Sequence, residues 1–315
     1  MVILAAPPSF SVVIPTYNRA TLVGRAIDSA LAQTIGATEI IVVDDGSTDD
    51  TETILRSYGD RITVFRQANA GCSAARNHGV RASRGEWVAF LDSDDTWAPD
   101  HLESMADAIR STDGRADLYF SDSRFDAAEG GSTLWSVSGF AIEGKTALEA
   151  DGTGWVLAPR QPMKLQCSVF RRELYEAVGG LDESLRTRED THFFLKAGIG
   201  RPLCAVRSGG VEIGIEDDPN NRLTLAHPPG ERTYLEATVH LYQDVVCHAR
   251  RNSTLSAAEL GELKDRLGAA RVRLARLDLR DGRLLAFAWG VLVATGTSPR
   301  TLLGMVGRRL RRLAP

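Results

Sequence analysis

The sequence predicts an α/β fold built on a doubly wound parallel sheet, and three observations carry that expectation. Four short runs rich in Val, Ile and aromatic residues, at 10–15, 39–43, 62–65 and 86–91, have the near-continuous apolar character of strands buried on both faces. Stretches with helical spacing lie between them, so strand and helix alternate in the order that yields parallel crossovers. Every polar cluster follows a strand, which gathers the chemistry on the sheet edge where open α/β folds bind ligands.

Taken in order, the run Phe10-Ser11-Val12-Val13-Ile14-Pro15 is closed by proline and leads into the polar turn Thr16-Tyr17-Asn18-Arg19. Leu22, Val23, Ala26, Ile27, Ala30 and Leu31 then recur at helical spacing. The second run, Glu39-Ile40-Ile41-Val42-Val43, ends on Asp44-Asp45-Gly46-Ser47-Thr48-Asp49-Asp50, where Asp49 with Glu52 reads as a capping box for the next helix. The third leads into the small-residue segment 69–79, able to pack tightly as a helix. The fourth, Glu86-Trp87-Val88-Ala89-Phe90-Leu91, runs directly into Asp92-Ser93-Asp94-Asp95.

Three carboxylates within four positions repel one another unless a cation or shared proton relieves them, and no Lys or Arg lies between Glu86 and Arg110. A divalent metal is the simplest remedy, and hard oxygen ligands suit Mg²⁺ or Mn²⁺, which take substrate phosphates as further ligands. The same residues also read as a solvated acidic turn capping the helix near 99–102. Asp45, directly off a buried strand, could select an imide N–H, because a wrong base would leave its lone pair unpaired. His78 has no second histidine at metal spacing and reads as structural.

Composition bounds the function. At 315 residues, with 43% hydrophobic and 25% charged residues, the chain can bury a full core as a globular protein. Its net charge of −4 hides an asymmetry: residues 264–315 hold 12 Lys+Arg against 3 Asp+Glu, leaving 25 against 38 for the rest. The acidic portion argues against nucleic acid, while the basic tail suits phosphates or anionic lipid. Cys72, Cys167, Cys204 and Cys247 form no Cys-Xaa-Xaa-Cys pair, which suits a reducing cytoplasm, and Met1 to Ala6 is too short for a signal peptide.

Four motifs together resemble glycosyltransferase family 2: Ser11-Val12-Val13-Ile14-Pro15-Thr16-Tyr17-Asn18-Arg19, Ile41-Val42-Val43-Asp44-Asp45-Gly46-Ser47-Thr48-Asp49, Asn69-Xaa-Gly71 with Ala75-Arg76-Asn77-Xaa-Gly79, and Leu91-Asp92-Ser93-Asp94-Asp95. The resemblance implies a GT-A fold, with a Rossmann-like, mostly parallel sheet flanked by helices. It also implies a nucleotide-diphosphate sugar donor (UDP first, then dTDP or GDP), Mn²⁺ or Mg²⁺, inversion at the anomeric carbon, and a place in polysaccharide or glycoconjugate synthesis. Carried over residue by residue, Pro15, Thr16, Tyr17 and Asn18 line the base site and Asp45 accepts from the N3–H of a uracil or thymine. Arg76 faces the nucleotide, Asp92 or Asp94 the ribose, and Asp94 with Asp95 the metal.

Further along, a helix is expected over 99–109 and a strand over 117–121. Residues 122–163 carry Phe125, Trp135, Phe140 and Trp155 in a weakly patterned stretch, read as an acceptor-side hairpin or lid, or as a surface excursion with its aromatics tucked inward. A strand over 164–171, holding the acceptor-side residues Gln166 and Cys167, precedes a helix stopped by Gly179-Gly180. Phe193, Phe194 and Ala197 would bury one face of a helix whose first turn holds Glu189 and Asp190, where the dipole favours their charged forms. This stretch resembles the family's Glu-Asp motif, which implies Asp190 as general base and Glu189 on the acceptor side; simple helix capping is the alternative. Residues 201–206 form a last strand, and Gly214 to Arg222 looks like the family's loop over the diphosphate, with His227 close by.

The tail is helical: 234–250, then a helix opened by the capping box Ser256 to Glu259. Sixteen uncharged residues separate Arg283 from Arg300, short of a bilayer span. Leu302, Leu303, Val306, Leu310 and Leu313 face away from Arg308, Arg309, Arg311 and Arg312, the pattern of an interfacial helix and equally of a docked helix with its arginines in water. The expected organisation is a catalytic domain over 1–228, with a donor half at about 10–121 and an acceptor half at about 122–228, then a helical extension over 229–315. The acceptor is a carbohydrate, glycolipid or other hydroxyl, and the location cytoplasmic, at the inner face of the cell membrane if the tail binds it. A nucleotidyltransferase, or a non-catalytic nucleotide-sugar-binding subunit, is the alternative.

Overall fold

The computed structural model describes residues 7–125, 132–214, 227–252 and 255–298. The chain divides into two compact units, Met1–Glu183 with Phe193–Asp217, and Ser184–His192 with Asp218–Pro315.

In the first unit β1 (Phe10–Thr16), β2 (Glu39–Asp44), β3 (Thr63–Arg66) and β4 (Trp87–Phe90) pair with one another only in parallel, in the order β3-β2-β1-β4. The crossovers are α1 (Val23–Leu31), α2 (Thr51–Arg56) and α3 (Cys72–Ala82). Successive strand residues point to opposite faces. On one face Val12, Ile14, Val42, Ala89 and Leu91 join Ala26 and Ile27 of α1 and Leu102 and Met105 of α4 (His101–Ser111) in one core cluster. On the other face α3 approaches so closely that a Cβ on Gly79 would lie 2.3 Å from Val13 Cγ1. That contact explains why the small-residue segment 69–79 contains a glycine at mid-helix, where it otherwise costs about 1 kcal/mol relative to alanine.

Beyond β4 the sheet becomes mixed. β8 (Ser168–Arg171) runs antiparallel to β4, β6 (Leu118–Phe125) antiparallel to β8, and β9 (Leu203–Ile213) parallel to β6. β5 (Thr96–Trp97) and β7 (Thr146–Glu149) pair antiparallel with β9, giving nine strands among the described residues. The last strand extends well past the expected 201–206, because β6 carries a bulge between Ser121 and Ser123 and pairing resumes beyond it. Within 122–163 lie α5 (Leu134–Ser138), β7 and α6 (Thr153–Val156), and Trp135, Phe140 and Trp155 pack around Phe120 with ring centres 5.6–6.2 Å away. These three aromatics are therefore tucked inward; Phe125 ends β6.

α7 (Arg172–Ala177) is stopped by Gly179 and Gly180, with φ of +85° and +68°. α8 (Glu189–Gly198) crosses the division between units, its residues 189–192 grouping with the second and 193–198 with the first. The second unit contains α9 (Arg232–Asn252), α10 (Ala257–Arg280) and α11 (Leu284–Thr297). The expected capping box is present, Ser256 accepting from the Glu259 amide and Glu259 from that of Ser256. α10 and α11 pack so tightly that a Cβ on Gly290 would come within 2.9 Å of Ala275 Cβ. Among the described residues no helix is long and apolar enough to cross a membrane. The amphipathic stretch 302–313 and the diphosphate-loop stretch after Gly214 lie outside the described residues.

Candidate active site

The loops leaving β1, β2 and β4 meet at the carboxyl edge of the parallel strands. After β1, Pro15 and Thr16 are buried, Tyr17 is 39% exposed, and Asn18 takes φ +51°, a conformation its short amide side chain tolerates. The Asn18 amide donates to Ser47 Oγ at 2.9 Å, and Asn18 Oδ1 accepts from the Thr48 amide at 2.8 Å, stitching this loop to the one after β2. The capping box expected of Asp49 and Glu52 does not form. Asp49 instead accepts from the amides of Thr51 and Ala20, while Glu52 pairs with Arg56 and Arg66 from beside it.

Asp45, 3% exposed, accepts from Gln67 Nε2 at 2.8 Å, from the Ala70 amide at 2.9 Å and from the Gly71 amide at 2.8 Å. Three of its roughly four acceptor sites thus hold the segment leading into α3. Its neighbour Asp44, which sequence reasoning passed over, has Oδ2 buried with no hydrogen-bond partner among the described residues, 3.7 Å from Arg66 Nε. Thr16 Oγ1, on the register partner of Asp44 in β1, is likewise buried and unbonded. Two orphaned polar atoms on adjacent strand ends are unusual in a folded core.

The three carboxylates converge as expected: Asp92, Asp94 and Asp95 each offer an oxygen, and these lie within 4.8 Å of one another. The cations missing nearby in sequence arrive from a distance. Arg76 Nη2, on buried α3, donates to Asp92 Oδ1 at 2.5 Å, and Arg19 Nη2 lies 3.7 Å from Asp94 Oδ2. Asp95 has neutral partners in Gln166 Nε2 at 2.8 Å and the Gly214 amide at 2.9 Å. Burial, then the charges of Asp92 and Asp94, push its carboxyl well above the usual range. A divalent ion would reverse that shift, and three hard oxygen donors fit Mg²⁺ or Mn²⁺. Gly214 is held against this cluster, since a Cβ there would sit 1.9 Å from the Asp94 carbonyl oxygen.

Two other expectations change. Cys167 is fully buried in the core cluster, its thiol pushed up to about 12 by burial, so it packs instead of facing an acceptor. Gln166, expected on the acceptor side, is the residue bonded to Asp95. Asn77 and Gly79 of the third motif are structural, Asn77 Nδ2 bonding the Leu181 carbonyl at 2.9 Å and Glu183 at 2.8 Å. His78 pairs with Gln67 Oε1 at 2.8 Å, and His227 lies 3.6 Å from Glu231 in the second unit. Glu189 and Asp190 are half-buried in the first turn of α8; Asp190 Oδ1 accepts from the Thr191 amide at 2.5 Å.

The fold is that of GT-A glycosyltransferases. The structure of S. aureus TarS 1-349 in complex with UDP-GlcNAc is similar with a TM-score of 0.61 at 17% identity, over 92% of each chain. A mannosyltransferase of Pyrobaculum calidifontis, in complex with GDP-Man and Mn²⁺, gives 0.51 at 21% identity over 93% of this chain and 82% of that one. Residues 11–153 match the family model for glycosyl transferase family 2. An uncharacterized glycosyltransferase of Rickettsia typhi is 45% identical over 108 residues, 34% of each chain. Chondroitin synthase of Escherichia coli is 32% identical over 197 residues, 60% of this chain and 26% of the relative. The chain spans about a third of the length of the first curated relatives it matches.

Proposed function

We propose that this protein moves a sugar from a nucleotide-diphosphate donor to an acceptor hydroxyl by one displacement, inverting the anomeric carbon. The observation that carries the reading is the Asp92, Asp94 and Asp95 cluster at the strand ends, beside the unbonded oxygens of Asp44 and Thr16. The neighbours solved with UDP-GlcNAc and with GDP-Man and Mn²⁺ support it. Thr16, Tyr17, Asn18 and Asp45, joined by Asp44, would bind the base, with Arg76 toward the nucleotide and Asp92 or Asp94 toward the ribose. Asp94 and Asp95 would hold Mn²⁺ or Mg²⁺, which when bound offsets the diphosphate charge. Asp190 would take the acceptor's hydroxyl proton as that oxygen attacks the anomeric carbon; the bond to the diphosphate breaks, and the nucleoside diphosphate leaves with the electron pair. No covalent intermediate is needed, hence inversion.

The test is a donor panel of UDP-, dTDP- and GDP-sugars with carbohydrate and glycolipid acceptors, the product anomer being read by NMR. Asp190→Asn is expected to lower turnover at least 100-fold with nucleotide binding retained; unchanged turnover would remove the base assignment. Release of the sugar 1-phosphate in place of a nucleoside diphosphate would mark nucleotidyl transfer instead.

An anionic bilayer is the partner that best suits the second unit, under the same proposal. On α11, Leu284, Leu285, Trp289 and Leu292 are 64%, 89%, 67% and 64% exposed. Arg273, Arg276, Arg280 and Arg283 are exposed nearby in sequence, and residues 299–315 add five arginines with no acidic residue. Exposed apolar residues flanked by cations fit a lipid surface of opposite charge.

A further inference from the structure

Helix α9 belongs by sequence to the tail, yet within the second unit it grips the residues on either side of Asp190. Arg188, immediately before α8, has φ +65°, a region that residues with a Cβ rarely enter. Its carbonyl accepts the first helical bond, from the His192 amide at 3.0 Å, so the backbone at Arg188 sets the direction in which Glu189 and Asp190 leave the chain. The guanidinium donates from Nη1 to Thr238 Oγ1 at 2.8 Å and lies 5.1 Å and 5.7 Å from the ring centres of Tyr234 and Tyr242. Those three partners are spaced i, i+4, i+8 on α9 and form one stripe. Two residues after Asp190, His192, 2% exposed, meets Asp244 Oδ2 through Nε2 at 2.8 Å.

The choice of arginine is informative. Glycine or asparagine adopts positive φ at less cost, and a cation at a helix amino terminus opposes the dipole. Arginine suits neither the backbone nor the charge at this position; it suits the grip, where its planar fork can stack on rings and donate at once. A strained residue persists only where its surroundings over-determine it, and such residues cluster at functional turns.

We infer that Arg188 is a positioning residue: α9, through Tyr234, Thr238, Tyr242 and Asp244, holds the left-handed turn that aims Asp190. The inference rests on reading Asp190 as the general base. Arg188→Gly keeps the backbone conformation accessible and removes only the grip. Thr238→Val removes one hydrogen bond without altering helix length, and covers the case in which the first variant folds poorly.

Hydrogen exchange on the full chain is the direct measurement. Both variants are expected to speed exchange of the amides of residues 189–193 about tenfold with the melting temperature unchanged; unchanged exchange in both overturns the clamp. Turnover is then read as UDP released from UDP-GlcNAc, or GDP from GDP-mannose, with Mn²⁺. Arg188→Gly should lower it about 10- to 100-fold, the scale of a small misplacement of a reacting group. In an Asp190→Asn background the same change should cost nothing further. Losses that multiply would mean Arg188 does not act through Asp190, overturning the inference. Faster exchange alongside wild-type turnover in Asp190→Asn would sink the base assignment while leaving the clamp in place.

Discussion

Gln166 donates its side-chain amide to Asp95 Oδ2 across 2.8 Å, joining residues 71 positions apart, while the Gly214 amide takes the other oxygen at 2.9 Å. Asp95 is thereby held between two neutral donors and two acidic neighbours. Gln166→Leu deletes one donor and leaves a buried carboxylate oxygen unpaired, at an expected cost of about 1–3 kcal/mol in chemical denaturation without metal. Mn²⁺ should restore part of that loss. Equal stability of variant and wild type in EDTA would show that the contact contributes nothing.

A second prediction concerns His101, fully buried against Trp97 with ring centres 4.7 Å apart and both nitrogens unbonded. Burial lowers its pKa to about 3, from an ordinary 6.5. Between those values the unfolded chain binds a proton that the folded chain refuses, so stability falls as pH falls below 6.5. From pH 6.5 to 5 this one residue should remove about 2 kcal/mol. His101→Phe, which keeps the ring stack, should flatten that part of the pH profile; an unchanged slope would assign it to other groups.

Vesicle binding tests the exposed face of α11. Co-sedimentation is expected with phosphatidylglycerol-containing vesicles and not with pure phosphatidylcholine, weakening as salt rises to about 0.5 M because charge attraction is screened. Leu285→Glu with Trp289→Glu should abolish it. If those substitutions instead dissolve a dimer in solution, the face joins two copies of the chain and the bilayer reading fails.

Much of the first unit was legible because its strands carry continuous Val and Ile runs and its turns carry Pro, Gly and Asp. The acidic triplet was legible because three carboxylates at a strand end have few uses. Contacts set by sheet register were not. Nothing local announces that Arg19 and Arg76 reach Asp94 and Asp92, that Asp45 is already bonded by residues 67, 70 and 71, or that Gly214 closes on Asp94 from the far end of β9. Cys167 and Gln166 are adjacent, yet one enters the core and the other meets Asp95, a difference made by the 3-10 turn Leu165–Cys167. Asp49 forms no box because the helix starts one residue later than the box requires, with Asp50 at its N-cap.

Isothermal titration of UDP, dTDP and GDP, each with Mn²⁺ and then with EDTA, tests whether Asp92, Asp94 and Asp95 hold a cation-bridged diphosphate. At least one nucleotide is expected to bind about tenfold or more tightly with Mn²⁺, and Asp95→Asn should erase the difference, the Gln166 amide turning to offer its oxygen to the new side chain. Affinity indifferent to Mn²⁺ for all three nucleotides, or a full Mn²⁺ effect surviving in Asp95→Asn, would contradict the account.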